Sequence, residues 1–174
     1  MYTYEFDIDG IKVNELEKLL KERNIKYNRN KNKIIVYYDD FYFLYKFDKF
    51  IKGLKAGFDI KKLLNILDND WDILEIDLKL VFEKKINHII RIKGRIIGEE
   101  GKILEELKKR TNADIIIKDK YIYILGDSIS LRSAYEGIKR IIKGEKHGTV
   151  FNYLDKYIKD LKNRDKEFAK YIKF

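Results

Sequence analysis

Apolar and polar side chains alternate along the chain with two periods, and the order of these periods predicts two related units. The first unit begins with a strand at residues 3–9, which a short turn joins to a helix with apolar positions at Val13, Leu16, Leu19 and Leu20. Strands at residues 25–29 and 33–38 and a helix at residues 41–53 follow. A connecting helix is then predicted from Ile60, Leu63, Leu64 and Leu67.

The second unit begins in the same way but contains one additional helix. Residues 75–82 alternate between polar and apolar and predict a half-buried strand, whose apolar face comprises Ile76, Leu78, Leu80 and Phe82. Isoleucines at helical spacing predict a helix that ends at Gly98. After a four-residue turn, a second short helix continues to about Asn112. The apolar positions of this helix pair are Ile86, Ile89, Ile90, Ile96, Ile97, Ile103, Leu104 and Leu107.

Two strands and a longer helix complete the second unit. Residues 113–118 and 121–125 predict the strands, and Asp127 or Ser128 is placed to cap the helix. The apolar stripe of this helix comprises Leu131, Ala134, Tyr135, Ile138, Ile141 and Ile142. A final long helix is predicted from apolar positions that begin at Val150.

The two units also share residue identities. Residues 33–40 (KIIVYYDD) correspond to residues 120–127 (KYIYILGD), and residues 50–53 correspond to residues 141–144. Only residues 9–12 separate the first strand from the first helix, which is too few for another helix and its turn. The sequence therefore predicts an α+β protein of two related domains, the first of which lacks the glycine turn.

The positive charge of the chain is concentrated in the second unit. The net charge is +9, from 38 basic and 29 acidic residues. Residues 1–70 hold 14 basic and 12 acidic residues, whereas residues 71–174 hold 24 and 17. Residues 84–95 include five basic residues and no acidic one. This distribution favours a polyanionic partner for the second unit.

The composition argues against several classes of protein. The chain has no cysteine and only two histidines, His88 and His147, so neither a disulfide framework nor a metal site is predicted. The apolar runs are too short for a transmembrane helix, and the N-terminal residues do not resemble a secretory signal. No nucleophile–base pair stands out. We therefore expect a soluble cytoplasmic protein that is not an enzyme and needs no cofactor.

The turn Gly98-Glu99-Glu100-Gly101, with its flanking residues, carries the strongest functional signal. An Ile-Gly-x-x-Gly turn between two short helices, in the order strand, helix, helix, strand, strand, helix, resembles the KH domain in its type I order. The residues that carry this likeness are Ile97, Gly98, Gly101, Leu104 and Leu107.

The likeness extends to a particular family. The segment RIKGRIIGEEGK, the following LKKRTNADI, the Gly126-Asp127 pair and the HGTV turn at residues 147–150 resemble the two-KH ribosome-biogenesis family known as Dim-two or partner-of-Nob-one, especially its archaeal members. The likeness is strong after about Gly57 and weak before it. It implies a KH-like domain without GxxG at residues 1–57, a linker helix at 58–71, a KH domain at 72–145 and a C-terminal helix at 146–174.

This resemblance also implies a function. Members of the family act in small-subunit ribosome maturation and bind single-stranded rRNA near its 3′ end through the second KH domain. Their partners are the PIN-domain endonuclease that trims this end and, in archaea, the alpha subunit of initiation factor two. A KH turn clamps phosphates with its backbone, while bases lie in an apolar groove. The implied RNA-binding residues are Arg91, Lys93, Arg95, Ile97, Gly98, Glu99, Glu100, Gly101, Lys102, Leu104, Ile115 and Ile117.

Glu99 and Glu100 depart from the family pattern, in which a middle position of the turn is usually basic. Carboxylates there repel RNA, although acidic residues also stabilise the start of a helix. Three interpretations therefore compete: an RNA site that uses the flanking basic residues, a KH fold kept as a protein-docking scaffold, and a turn without function.

Other features permit weaker hypotheses. Asp68, Asp70 and Asp72 have the ligand type for Mg²⁺ and would suit a nuclease, but a solvated helix end explains them more simply. The aromatic residues between Tyr37 and Phe43 are either base-stacking platforms or core. We expect His147 to position the C-terminal helix. The polar face of that helix is basic and is either solvated or in contact with RNA or a partner.

Overall fold

Two three-stranded antiparallel sheets form the framework of the chain, one in each of two units that comprise residues 1–70 and 71–174. The computed structural model of the protein describes residues 1–81 and 86–171. In each sheet the last strand of the unit lies between the other two. In each unit, helical segments connect the first strand to the second. The second and third strands form a hairpin.

The first unit has the elements that the hydrophobic pattern predicts, and no helix precedes α1. The loop between the first strand and first helix holds Gly10 at a φ of +74° and is too short for a helix of its own. The predicted loss of the first paired helix is thus confirmed. The elements are β1 (Tyr2–Asp7), α1 (Val13–Glu22), β2 (Lys26–Asn30), β3 (Lys33–Tyr38), α2 (Phe41–Ala56) and α3 (Ile60–Asp68).

Helices α2 and α3 pack closely because α2 has a glycine, Gly53, at the contact. A Cβ on Gly53 would come within 2.2 Å of the Leu63 side chain, so no larger residue fits without a shift. Phe47 of α2 is fully buried, and its ring contacts the rings of Tyr4 and Phe6 on β1. Burial of this aromatic cluster contributes to the hydrophobic stabilisation of the unit, together with buried aliphatic residues such as Leu16 and Ile34.

The second unit contains the paired helices that the first lacks. A 3-10 turn at Glu99–Gly101 separates them. The elements are β4 (Asp72–Asp77), α4 (Leu78–Val81), α5 (Ile86–Ile97), α6 (Lys102–Thr111), β5 (Asp114–Lys118), β6 (Tyr121–Gly126), α7 (Ser128–Ile142) and α8 (His147–Tyr171). Asp127 caps α7, since its carboxylate accepts a hydrogen bond of 2.8 Å from the Ser130 amide.

The prediction of a strand over residues 75–82 is wrong beyond Asp77. Leu78–Val81 is a short helix, and Phe82 lies outside the described residues. The Asp77 carboxylate accepts a 2.8 Å hydrogen bond from the Lys79 amide, in the manner of a helix N-cap. The alternation of Leu78 and Leu80 is too short to distinguish a strand from one helical turn.

Helix α8 packs against α6 and α7 within the second unit. Gly137 allows this approach, because its Cβ position lies 3.0 Å from Leu154 of α8 and 3.1 Å from Leu107 of α6. Val150 and Leu154 are fully buried and join the core beneath the sheet. Among the described residues, no helix has the length and apolar character needed to cross a bilayer.

Candidate nucleic-acid interface

The turn between α5 and α6 depends on two glycines with positive φ. Gly98 has φ +75° and ψ 178°, a conformation that is open almost only to glycine, and Gly101 has φ +78°. A Cβ on Gly98 would lie 2.4 Å from Cγ1 of Ile103 and 2.9 Å from its amide nitrogen. Gly98 is therefore required by both conformation and packing, whereas the Cβ position of Gly101 meets open space.

Helix α6 begins directly at this turn, without a capping side chain. Gly101 occupies the N-cap position, and no described side chain accepts a hydrogen bond there. The first amides of a helix have no partner within the helix and carry partial positive charge. Although the Lys102 amide donates to the Glu99 carbonyl, the partial positive charge of this helix start suits an anionic group such as a phosphate.

The two glutamates lie in the 3-10 turn and precede α6 rather than forming its first turn. Both are exposed. Glu100 adopts φ +52°, and its carboxylate forms a 2.9 Å ion pair with Lys102. This pair offsets part of the positive charge of Lys102, while the carboxylate of Glu99 faces solvent beside it. The tip of the turn is consequently weakly acidic.

The predicted phosphate contacts on α5 differ in their surroundings. Arg91 is exposed and makes no hydrogen bond or ion pair with any described residue. The ammonium of Lys93 donates to the carbonyl of Asp119, at 2.8 Å, and so reaches the turn between β5 and β6. Of these basic side chains, Arg91 is the one positioned to bind an external phosphate without giving up an internal contact.

Arg95 has a structural role that the sequence did not reveal. Its guanidinium donates to the carbonyls of Ile141 and Glu145, at 2.8 and 2.6 Å, and so binds the C-terminal end of α7. The Arg95 carbonyl lies 2.9 Å from Nε2 of His147, the first residue of α8. The ends of α5 and α7 and the start of α8 are thereby tied together, and His147 has the positioning geometry expected of it.

The predicted groove residues are buried to different degrees. Ile97, Leu104 and Ile117 remain partly exposed. Ile115 is 2% exposed and belongs to the core, so it offers almost no surface to a base. A direct base contact by Ile115 therefore has no support in this structure.

A row of isoleucines on α5 extends from the predicted Ile97 to Ile86 and Ile90, which were not predicted as part of the site. Ile86 and Ile90 are 66% and 63% exposed, and the spacing of Ile86, Ile90 and Ile97 places them on one side of the helix. The buried side comprises Ile89, Ile92 and Ile96. The row leads towards Gly98, past Gly94, whose Cβ position meets open space. The sequence signal for this row was the large number of isoleucines in α5, which recur on both the buried and the exposed side of the helix.

The structure also places the aspartates and the aromatic residues on which the weaker hypotheses depend. Asp68 is held by the guanidinium of Arg23 through two hydrogen bonds of 2.6 and 2.5 Å, which lower the pKa of its carboxyl. Within the described ranges, no group of three or more potential ligands is arranged to hold a metal ion. Among the aromatic residues, Tyr38 stacks on Phe43 with centroids 4.0 Å apart, whereas Phe41 is 66% exposed.

Comparison with protein families identifies the second unit. A family model described as a eukaryotic type KH domain (KH-domain type I), that of the second KH domain of PNO1, matches residues 73–159. The pre-rRNA-processing protein PNO1 of Debaryomyces hansenii is 29% identical over 158 residues, which cover 90% of this chain and 60% of that protein. The chain spans about half the length of the curated relatives that it matches.

Solved structures share the fold of both units. A protein of unknown function from Aeropyrum pernix has a TM-score of 0.82 at 24% identity, covering 97% of this chain and 98% of its own. Dim2p of Pyrococcus horikoshii, in a complex with a/eIF2alpha and rRNA, has a TM-score of 0.74 at 19% identity, covering 91% and 95%. These likenesses, with the family model, confirm the predicted architecture of two tandem type I KH-like domains and a C-terminal helix.

Proposed function

This chain belongs to the eukaryotic-type KH-domain family, KH type I, represented by the second KH domain of PNO1, and we propose that it binds single-stranded rRNA near the 3′ end of the small-subunit rRNA. The protein acts during maturation of the small ribosomal subunit, in the cytoplasm. It acts by binding and by recruiting partners, without catalysis of its own.

One observation carries this proposal: an uncapped helix start, a glycine turn and an exposed isoleucine row lie consecutively along α5 and α6. The amides of Gly98 and Gly101 donate to the carbonyls of Gly94 and Gly98, but the positive end of the α6 dipole lies beside Gly101, where a phosphate can approach without meeting a Cβ. Ile90 and Ile97 provide apolar surface beside it, and bases of single-stranded RNA stack or pack on such surfaces. Arg91 adds the cation.

RNA binding at this site is expected to be modest in the isolated protein. Glu99 and Glu100 place two carboxylates where the phosphates run, and Lys102 is already paired with Glu100. Lys93 and Arg95 are engaged by backbone carbonyls. In the proposed function, the grip on RNA depends on backbone amides, Arg91 and Lys102, with partner proteins adding affinity by holding the complex together.

The same internal contacts support a second candidate function. If Lys93, Arg95 and Lys102 serve only to stabilise the fold, the second unit is a scaffold that binds proteins and has little affinity for RNA. In either function, the proposed partners are the PIN-domain endonuclease of rRNA maturation and the alpha subunit of initiation factor two, as the family resemblance implies.

In-cell crosslinking followed by sequencing of the bound RNA tests the proposal. We expect crosslinked reads to concentrate near the 3′ end of the small-subunit rRNA, and to be depleted for the Arg91→Ala variant. An RNA-binding protein gives this pattern, whereas a scaffold co-purifies with its protein partners and gives reads no denser than background. Lys21→Ala, which removes an exposed charge from α1 of the first unit, is the matched control.

A further inference from the structure

Strand β1 is the edge strand of the first sheet, because among the described residues only β3 pairs with it. The Ile8 amide donates to the carbonyl of Asn32 at 2.9 Å, which extends the pairing of β1 with β3 by one residue. This bond shows that Ile8, and with it every second residue of β1, directs its backbone groups towards β3. Successive residues of an antiparallel pair direct their backbone groups alternately towards and away from the partner strand. Thr3, Glu5 and Asp7 therefore direct N–H and C=O groups to the open side of β1.

An open groove of about 520 Å³ lies beside this edge, between β1 and α2. Residues of both elements line it, including Tyr2, Tyr4, Phe41, Leu44, Tyr45 and Asp48. The residues Tyr2, Phe41 and Tyr45 are 50%, 66% and 51% exposed. Aromatic side chains so exposed on adjoining elements are typical of surfaces that bind a partner.

The groove has a carboxylate at a fixed position. The Tyr4 hydroxyl donates to Oδ1 of Asp48 at 2.6 Å. Burial and the neighbouring Asp48 carboxylate raise the pKa of the Tyr4 phenol, so it stays protonated and retains this hydrogen bond. Asp48 can accept further hydrogen bonds from a cationic side chain that lies in the groove.

We infer that the open edge of β1 and the groove beside α2 bind an extended, arginine- or lysine-bearing segment of a partner protein. The segment pairs with the outward backbone groups of Thr3, Glu5 and Asp7 as an added strand. Every second side chain then faces the same side as Tyr2 and Tyr4 and enters the groove. There an aliphatic stem packs on the exposed rings and its cationic end bonds to Asp48.

Charge selects this partner over RNA and over a second copy of the chain. Glu5 and Asp7 lie on the edge strand itself, and the single cation Lys33, in a 2.6 Å ion pair with Glu5 and near Asp7, offsets one of these two charges. An RNA backbone would be repelled by these carboxylates and by Asp48, which together outnumber the two neighbouring cations, Lys33 and the Lys49 ammonium over the Tyr45 ring. Antiparallel pairing of two β1 strands centred on Glu5 would place Glu5 opposite Glu5, and like charges directly opposite one another are destabilising.

A designed peptide tests the inference with the full chain. The probe is a fluorescein-labelled ten-residue peptide in which arginine alternates with threonine, and binding is followed by fluorescence anisotropy. We expect binding to weaken at least about 10-fold when all peptide amides are N-methylated, because the added strand loses its hydrogen bonds. Replacement of arginine by glutamate should abolish binding. Hydrogen exchange at Thr3, Glu5 and Asp7 should slow in the complex.

Matched variants locate the binding surface. Phe41→Ala should weaken binding by about 5- to 10-fold, whereas Tyr42→Ala, an equally exposed neighbour that does not line the groove, should change it less than about 2-fold. Asp48→Asn should weaken binding by about 5-fold, and Asp160→Asn, with the same change in net charge on the other unit, should not.

Several results would overturn the inference. Equal binding of the N-methylated peptide would exclude strand addition, and equal effects of Phe41→Ala and Tyr42→Ala would exclude the groove. Concentration-dependent dimerisation that Phe41→Ala abolishes would assign the surface to a second copy. Displacement of the peptide by single-stranded RNA, in a manner unaffected by Arg91→Ala, would assign it to nucleic acid. The inference does not depend on the proposed RNA site, because Arg91 and the glycine turn belong to the second unit.

Discussion

Gly98 packs against Ile103 so closely that no side chain fits between the turn and the first residues of α6. A Cβ on Gly98 would lie 2.4 Å from Cγ1 and 2.8 Å from Cβ of Ile103. Ile103 in turn contacts the core of the second unit. The backbone amides proposed to bind phosphate are therefore held in place before RNA arrives, which lowers the entropy cost of binding.

This contact predicts unequal effects of alanine at the two glycines. Gly98→Ala should destabilise the second unit by about 2–4 kcal/mol, because backbone strain and overpacking add. Gly101→Ala should cost about 1 kcal/mol, since only its positive φ is unfavourable. Urea unfolding followed by the fluorescence of Trp71, the one tryptophan of the chain, measures both. Equal losses would contradict the packing role of Gly98.

Alanine variants of Arg95 and Arg91 should have different effects, the first on stability and the second on RNA binding. Arg95→Ala removes two hydrogen bonds to the C-terminal end of α7 and should destabilise the second unit by about 1–3 kcal/mol. Arg91→Ala should leave stability within about 0.5 kcal/mol and weaken RNA binding instead. Unfolding midpoints and RNA affinities of both variants provide the comparison. A loss of stability in Arg91→Ala would place that side chain in the fold.

Removing the carboxylate from Glu100 should strengthen RNA binding. Glu100→Gln abolishes the ion pair with Lys102 and leaves the ammonium available to a phosphate. We expect affinity for single-stranded RNA to rise by about 3- to 10-fold at low salt, because one repulsive charge is lost and one attractive charge is freed. Glu105→Gln, on the first turn of α6, is the control. If the turn does not touch RNA, both variants bind like the wild type.

The Arg23–Asp68 pair should make part of the stability of the first unit depend on pH. The hydrogen bonds from Arg23 lower the pKa of Asp68 in the folded chain. A depressed carboxyl pKa contributes stability that is present above the unfolded value of about 4 and is lost as the pH falls through the lower folded value. The contribution should stay below about 1 kcal/mol because the pair is exposed.

Urea unfolding of the wild type and Asp68→Asn at pH 7 and pH 3 measures this contribution. The variant should be the less stable protein at pH 7, and the difference should shrink at pH 3. A difference that persists unchanged at pH 3 would show that Asp68 acts through something other than its charge.

Much of the fold was predictable because each element carries its own periodicity. The limits of β3, from Lys33 to Tyr38, agree with the prediction, and the short segment before α1 correctly indicated a missing helix. The repeated glycines were less informative. Gly53 permits close packing of two helices, whereas its counterpart Gly144 has φ +96° in the turn after α7. The two glycines occupy corresponding positions in the repeats but have different structural roles.

The candidate site was less predictable, since it depends on tertiary contacts. Sequence spacing cannot show that Arg95 is directed to the carbonyls of Ile141 and Glu145, some fifty positions later in the chain. Nor does it distinguish Ile90, which is exposed, from Ile89, which is 7% exposed, because both neighbours fit an apolar helix. The turn was identifiable because glycine spacing is a local property of the backbone.

The salt dependence of RNA affinity tests the central claim most directly. The dissociation constant of the full chain for a single-stranded oligoribonucleotide, measured across potassium chloride concentrations, gives the number of phosphates neutralised. Arg91→Ala should weaken binding and flatten the logarithmic slope by about 0.7, while Lys21→Ala on α1 should change neither. Binding by Arg91→Ala with the wild-type affinity and slope would contradict the claim that α5 and its glycine turn hold the RNA.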